Sequence, residues 1–250
     1  MYKRMNEQLQ KEGAMALVTG ASSGIGMEFA KRFSSEGHPV LMLARRKEVM
    51  EELNLPNCLC RSVDVTDLSA MQAAIKEAEA LYGKTDLLIN CAGLMLLGYP
   101  AEQDFEEWSR MIDVNVKGVL AGTKAVLADM MARNEGTIIN ISSIAGRKTF
   151  DSHSVYCGTK YAVHAITESM RKEVSGSNVR MIVIAPGVVE TPLLSHTSSQ
   201  EIKDNYNLWK QSIEGGLEPS QIADCAWFAY QMPQNVCVRE IVIAKTKQED

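Results

Sequence analysis

Residues 14–26 read AMALVTGASSGIG, and the amphipathic stretch MEFAKRFSSEG follows at once. An apolar run that enters a glycine turn and leaves it as a helix is the opening unit of a doubly wound α/β sheet. In such a unit the turn and the helix N-terminus face a dinucleotide pyrophosphate. The spacing here is GxxxGxG, which differs from the common GxGxxG pattern. Gly20 is expected to make the tight turn, Gly24 to let backbone amides reach the anion, and Gly26 to allow close packing of helix on strand. Ser22, Ser23 and Ile25 complete this candidate cofactor turn.

The same rhythm continues along the chain. AMALVTG, HPVLMLA, CLCRSVDV, TDLLINCAG, GTIINISS, VRMIVIAPG and CVREIVIA read as seven strands, separated by helix-like segments of roughly ten to twenty residues. Near-continuous apolar strands alternating with helices predict a parallel Rossmann-type sheet covered on both faces. Residues 1–12 are expected to form a loose tail or a short extra helix, and 13–250 a single catalytic domain. The polar segment 188–217 breaks the rhythm and is expected to form a lid over the site.

Composition narrows the function. Of 250 residues 46% are hydrophobic, and the net charge of -5 argues against a broad nucleic-acid surface. No run approaches the eighteen apolar residues of a membrane span, and the N-terminus has no apolar signal core. The six cysteines are scattered, with no CxxC pair and no histidine at ligand spacing, so neither disulfides nor a metal site is expected. These features describe a reduced, cytoplasmic protein.

The second strand ends at Ala44 and is followed by Arg45 and Arg46. An acid there would bind the ribose 2′-hydroxyl of NAD, whereas arginine suits the 2′-phosphate of NADP. NADP(H) is therefore the expected cofactor. Further along, Ser143 closes the fifth strand, and Tyr156 and Lys160 stand one helical turn apart in SVYCGTKYAV. An ammonium beside a phenol favours the phenolate and is expected to bring the phenol's pKa of about 10 toward neutrality, as general acid-base work requires. The serine hydroxyl can hold the substrate oxygen. The three residues together describe the reduction of a carbonyl by hydride and a phenolic proton.

With these motifs in hand, the chain resembles the short-chain dehydrogenase/reductase family over essentially its whole length. The matching motifs are TGASSGIG, DVT at 64–66, NCAG at 90–93, Asn115 within DVNVKG, SSIAG, YCGTK and PGVVETP at 186–192. The resemblance implies that Ser143, Tyr156 and Lys160 are catalytic, with Asn115 holding a water that relays protons through the lysine. It places Asp64 and Val65 at the adenine and Asn90, Ala92 and Gly93 along the adenosine. It also places Pro186, Gly187, Val189 and Thr191 at the nicotinamide. The chain departs at Cys91, where the family usually has asparagine, and at Ser23, where some NADP-preferring members carry a basic residue. Within the family it resembles NADP-dependent 3-hydroxy-acid dehydrogenases and aldehyde reductases. LLSHTSSQEIKD and YCGTKYAVHAI also resemble bacterial NADPH-dependent blue fluorescent proteins.

The expected activity is reversible reduction of an aldehyde, ketone or 3-oxo acid. The alternative is a non-catalytic NADPH-binding sensor; a sugar-nucleotide epimerase would need a further substrate domain. Arg147 and Lys148, after the serine, are expected at the substrate mouth as attractors of a carboxylate, while His153 and His196 have no evident task. The helix over 114–132 carries Val116, Val119, Leu120, Val126, Leu127 and Met130 on one face and Ala121, Ala125 and Ala128 on another. Helix 155–170 likewise sets Ala162 and Ala165 beside Val163 and Ile166. Two usable faces predict a homodimer or homotetramer.

Overall fold

A computed structural model of the chain describes residues 14–249. The expected tail over 1–12 lies outside them. Seven parallel strands are present among the described residues: β1 Met15–Thr19, β2 Val40–Ala44, β3 Cys58–Ser62, β4 Thr85–Asn90, β5 Gly136–Ile141, β6 Val179–Pro186 and β7 Glu240–Ile243. Their order in the sheet is β3-β2-β1-β4-β5-β6-β7. Each of the seven apolar runs contains one strand, as the alternation predicts.

Successive side chains of a strand point to opposite faces, so both faces need cover. Ala16 and Val18 of β1 join a core with Phe29 and Phe33 of α1 (Gly24–Ser35) and Ala226 and Tyr230 of α8 (Pro219–Gln231). Met15 and Leu17 face the other way. They meet Met71 and Ala78 of α3 (Leu68–Tyr82) and Val126 and Met130 of α5 (Gly118–Arg133). Burying a side chain of this size contributes about 2 kcal/mol, which is why the strands are apolar on both sides.

Helix starts follow local chemistry. Asp67 accepts from the Ala70 amide at 2.9 Å to cap α3. Asp104 accepts from Glu106 at 2.9 Å to cap α4 (Phe105–Ile112). At α8 Glu218 and Gln221 form a reciprocal capping box with Pro219 in the first turn. The remaining helices are α2 (Lys47–Glu51), α6 (Ser154–Glu173) and α7 (Gln200–Ser212).

One feature differs from the sequence expectation. Residues 114–132 are not one regular helix, because a π turn over Asp113–Lys117 precedes α5. Where the sequence left open which face packs inward, Ala121, Ala125 and Leu127 all pack on the core of the same chain, and Val116 and Leu120 are half-buried. Alternation of small and large residues could not say which face meets α3.

Strand order reverses between β2-β1 and β1-β4. In sheets of this type a crevice opens at such a switch point, outside the carboxyl ends of the strands.

Candidate active site

A cleft of about 1050 Å³ lies there. Its floor begins with the glycine turn. Gly20 has φ +70°, and a Cβ on it would sit 2.8 Å from the Ala92 backbone after β4. A Cβ on Gly26 would sit 2.3 Å from the Gly20 carbonyl oxygen. Neither backbone atom can yield, so the turn excludes any side chain at these positions. Gly24 opens α1 and lies against Thr191. The turn is further tied to β4 by Thr19, whose hydroxyl accepts from the amides of Cys91 at 3.0 Å and Ala92 at 3.2 Å.

These contacts fit a dinucleotide. Ser23 precedes α1 without capping it through its side chain, and Gly24, Ile25 and Gly26 of the first turn line the cleft. An uncapped helix N-terminus on a cavity wall suits an anion. Arg46 donates to the hydroxyls of Ser22 and Ser23, both at 3.2 Å, bringing positive charge to the same place. Beyond β3, Asp64 accepts from the amide and hydroxyl of Thr66 at 2.9 and 2.7 Å, which holds its carboxyl below the usual range. Arg45, Asp64, Val65, Ala92 and Gly93 line this half of the cleft, and Pro186, Gly187, Val189 and Thr191 line the region after β6.

Ser143, Tyr156 and Lys160 stand together in the wall. Ser143 follows β5 and caps the short 3-10 turn Ile144–Gly146 through the Ala145 amide at 3.1 Å. Tyr156 and Lys160 share a face of α6, with the Lys160 ammonium 5.7 Å from the Tyr156 ring centre. Lys160 donates to the Ile141 carbonyl at 3.0 Å. Burial pushes its pKa down to about 8. Burial pushes the Tyr156 phenol up, above the ordinary tyrosine range, and a hydrogen bond with Ser143 offsets only part of this. The expected lowering of the phenol is therefore absent from the protein alone, because desolvation by burial is the largest cause and acts in the opposite direction.

Two expected residues lie behind the wall. Asn90 is buried and donates to Asn140 of β5 at 2.8 Å, so its side chain stitches strands together rather than lining the cleft. Asn115, in the π turn, accepts from the Leu94 amide at 2.7 Å and donates to the Leu94 carbonyl at 2.8 Å and to Thr159 at 3.1 Å. Its side chain fixes the chain leaving β4 against α6, directly behind Gly93. The basic turn is also displaced from expectation. Arg147 pairs with Glu240 of β7 at 2.6 Å, and neither it nor Lys148 lines the cleft.

Sequence reasoning missed a set of supporting residues. His164 Nδ1 meets the Ser142 hydroxyl at 2.9 Å and the Lys160 carbonyl at 3.1 Å, while its Nε2 faces Glu240 at 3.1 Å. This chain links α6 at Lys160 to the sheet edge. Gln248, near the C-terminus, accepts from the Val188 amide at 3.1 Å and lines the cleft. No motif marks either residue, because apart from Lys160 their partners are 22 to 76 positions away.

Residues of the segment 188–217, from Val188 to Lys210, line one side of the cleft. The segment's ends are pinned by Glu190 donating to Leu217 and Leu217 donating to Val188, both at 2.8 Å. Between them lie the 3-10 turn Pro192–His196 and α7. Thr197 fastens the middle: its hydroxyl accepts from the Leu97 amide at 3.1 Å and donates to the Met95 carbonyl at 3.3 Å.

Comparison with known proteins agrees with this geometry. Residues 14–202 match the family model described as short chain dehydrogenase. An uncharacterized oxidoreductase of Staphylococcus saprophyticus is 38% identical over 94% of this chain and 96% of its own length. Among solved structures, a closed form of serine dehydrogenase complexed with NADP+ superposes with a TM-score of 0.87 at 31% identity, covering 94% of this chain and 96% of that one. A variant of actinorhodin polyketide ketoreductase with NADPH superposes at 0.82 with 28% identity, covering 95% and 98%. Among the described residues no helix is long and apolar enough to cross a membrane, and no group of three or more histidine, cysteine or acidic side chains could hold a metal. The chain belongs to the short-chain dehydrogenase family of oxidoreductases.

Proposed function

We propose that the protein is an NADP(H)-dependent carbonyl reductase, acting reversibly on an aldehyde, ketone or 3-oxo acid. The observation that carries this reading is the joint placement of Ser143, Tyr156 and Lys160 in one wall of a cleft whose floor is the glycine turn. The turn and the start of α1 hold the pyrophosphate, and Arg45 and Arg46 the 2′-phosphate. Asp64, Val65 and the backbone at Asn90, Ala92 and Gly93 border the adenosine. Pro186, Gly187, Val189 and Thr191 border the nicotinamide. Bound NADPH supplies the hydride.

The protein's own part is proton chemistry and orientation. Tyr156 donates its phenolic proton to the carbonyl oxygen, and Ser143 holds that oxygen by a hydrogen bond. A phenol kept protonated by burial is in the correct state for a reduction. Lys160 stabilises the resulting phenolate, and the Asn115 turn keeps Gly93 and α6 in register beside it. Segment 188–217 acts as the lid that excludes water. The same reading expects a homodimer or homotetramer in the cytoplasm. The support for the oligomer is that Phe105 and Ile112 on α4 and Tyr161 on α6 are exposed.

The test is the initial rate of NADPH oxidation, with NADH alongside, against aldehydes, ketones and 3-oxo acids. Turnover that prefers NADPH and disappears in Tyr156→Phe is expected. Tight NADPH binding without turnover of any compound would replace this reading with a non-catalytic NADPH-binding protein. A monomeric mass by light scattering at micromolar concentration would remove the oligomer.

A further inference from the structure

Beyond Tyr156 the cleft is walled by rings in contact. Tyr156 meets His153 edge-on at 6.3 Å, His153 stacks on Tyr206 at 6.4 Å and 30°, and Tyr206 meets Trp209 edge-on at 5.4 Å. All four line the cleft, and they run from a phenol that is 6% exposed to an indole that is 36% exposed. Phe150 adds a ring beside His153 at 5.7 Å. Leu94, Met95, Leu97, Leu193, Leu194 and Ile202 supply aliphatic lining.

The cations lining this cleft are either engaged or stand at its end after β2. Lys210, on α7 beside Trp209, pairs with Glu190 at 2.8 Å, and Glu190 also accepts from the Gly216 amide at 2.6 Å. Lys160 is held by the Ile141 carbonyl. Arg45 and Arg46 belong to the end of the cleft after β2, and Arg147 is turned to Glu240. Burial lowers the pKa of both His153 and His196, which disfavours their charged forms. Asp151 is the lining acid nearest in sequence to His153. A carboxylate brought to this wall would lose its water, and of the described lining cations Lys160 and Lys210 are already held while Arg45 and Arg46 stand at the end of the cleft after β2, a costly exchange. A flat apolar group would gain buried area and ring contacts.

We infer that the substrate is an uncharged carbonyl compound bearing an aromatic or similarly flat apolar group, seated along His153, Tyr206 and Trp209. This rests on the carbonyl-reductase reading and departs from the 3-oxo acid that Arg147 and Lys148 suggested. Four ketones separate charge from ring: ethyl benzoylacetate, benzoylacetate, ethyl acetoacetate and acetoacetate, each reduced with NADPH. The expected kcat/KM for ethyl benzoylacetate is at least tenfold above that of its acid and of ethyl acetoacetate. Tyr206→Leu is expected to shrink the ring preference at least threefold through KM, with NADPH affinity by fluorescence titration unchanged; Trp209→Leu, at the mouth, serves if that variant is unstable. Preference for either acid, or for the methyl ketones, would overturn this inference and leave the reductase standing. Reduction of none of the four by protein that binds NADPH, and of no other carbonyl compound in the wider panel, would overturn both.

Discussion

Lys160→Met should make the cofactor-free protein more stable while abolishing turnover. The ammonium is 6% exposed, and burial takes its pKa from 10.5 to about 8. At neutral pH that displacement costs the folded state about 3 kcal/mol, since one pKa unit corresponds to about 1.4 kcal/mol. Methionine has a similar length and removes the charge. It also forfeits the hydrogen bond to the Ile141 carbonyl, worth about 1 kcal/mol. The net gain is about 2 kcal/mol, a rise in Tm of roughly 5 °C for a chain of this size. The gain should depend on pH. The unfolded chain holds the lysine proton up to about pH 10 while the folded chain releases it near 8, so wild-type stability rises with pH between those values. The advantage of the variant is therefore full below pH 8 and fades above it. Calorimetry of both proteins without cofactor, at pH 7 and pH 9.5, measures this. A lower Tm for the variant at pH 7, or a difference that does not change with pH, would refute the argument that the site stores an unfavourable charge.

Other consequences are as direct. Gly26→Ala places a Cβ 2.3 Å from the Gly20 carbonyl oxygen, a strain of about 1–3 kcal/mol; NADPH affinity should fall about tenfold or more, and unchanged affinity by titration would contradict the packing of the turn. Arg46→Ala should raise KM for NADPH about tenfold, the value of one charge-assisted hydrogen bond, with KM for NADH little altered. An equal rise for both cofactors would remove Arg46 from the 2′-phosphate. Thr197→Val leaves the Leu97 amide and Met95 carbonyl without their partner. It should lower stability by about 2 kcal/mol and speed hydrogen exchange across 191–213. Unchanged exchange there would show that the segment is held by other contacts.

Ala16 and Val18 against Met15 and Leu17 show why the layered sheet could be read from sequence: every strand must satisfy two cores, so its composition alone announces it. The glycine turn was equally legible, because Gly20 and Gly26 answer to atoms within the same short unit or at its neighbouring strand. So was the cleft membership of Ser143, Tyr156 and Lys160, which follows from one helical turn and one strand end. Each of these is a local geometric demand that leaves a mark at fixed spacing.

What folding alone decided was the direction of side chains whose partners are distant in sequence. Arg147 looked like a substrate residue until Glu240, on the edge strand, claimed it. Asn140 turns the Asn90 side chain into the sheet, which leaves its backbone to serve the adenosine. Tyr206 and Trp209 sit in a segment that reads as polar, and the long-range contacts that hold it, among them those at Val188, Leu217 and Thr197, set Tyr206 beside His153 and Trp209 beside Tyr206. The phenol's pKa belongs here too, since burial is a property of the packed wall and not of the Tyr-x-x-x-Lys spacing. Spacing prescribes which residues share an element; desolvation and long-range pairing, which need the whole chain in place, prescribe what those residues can do.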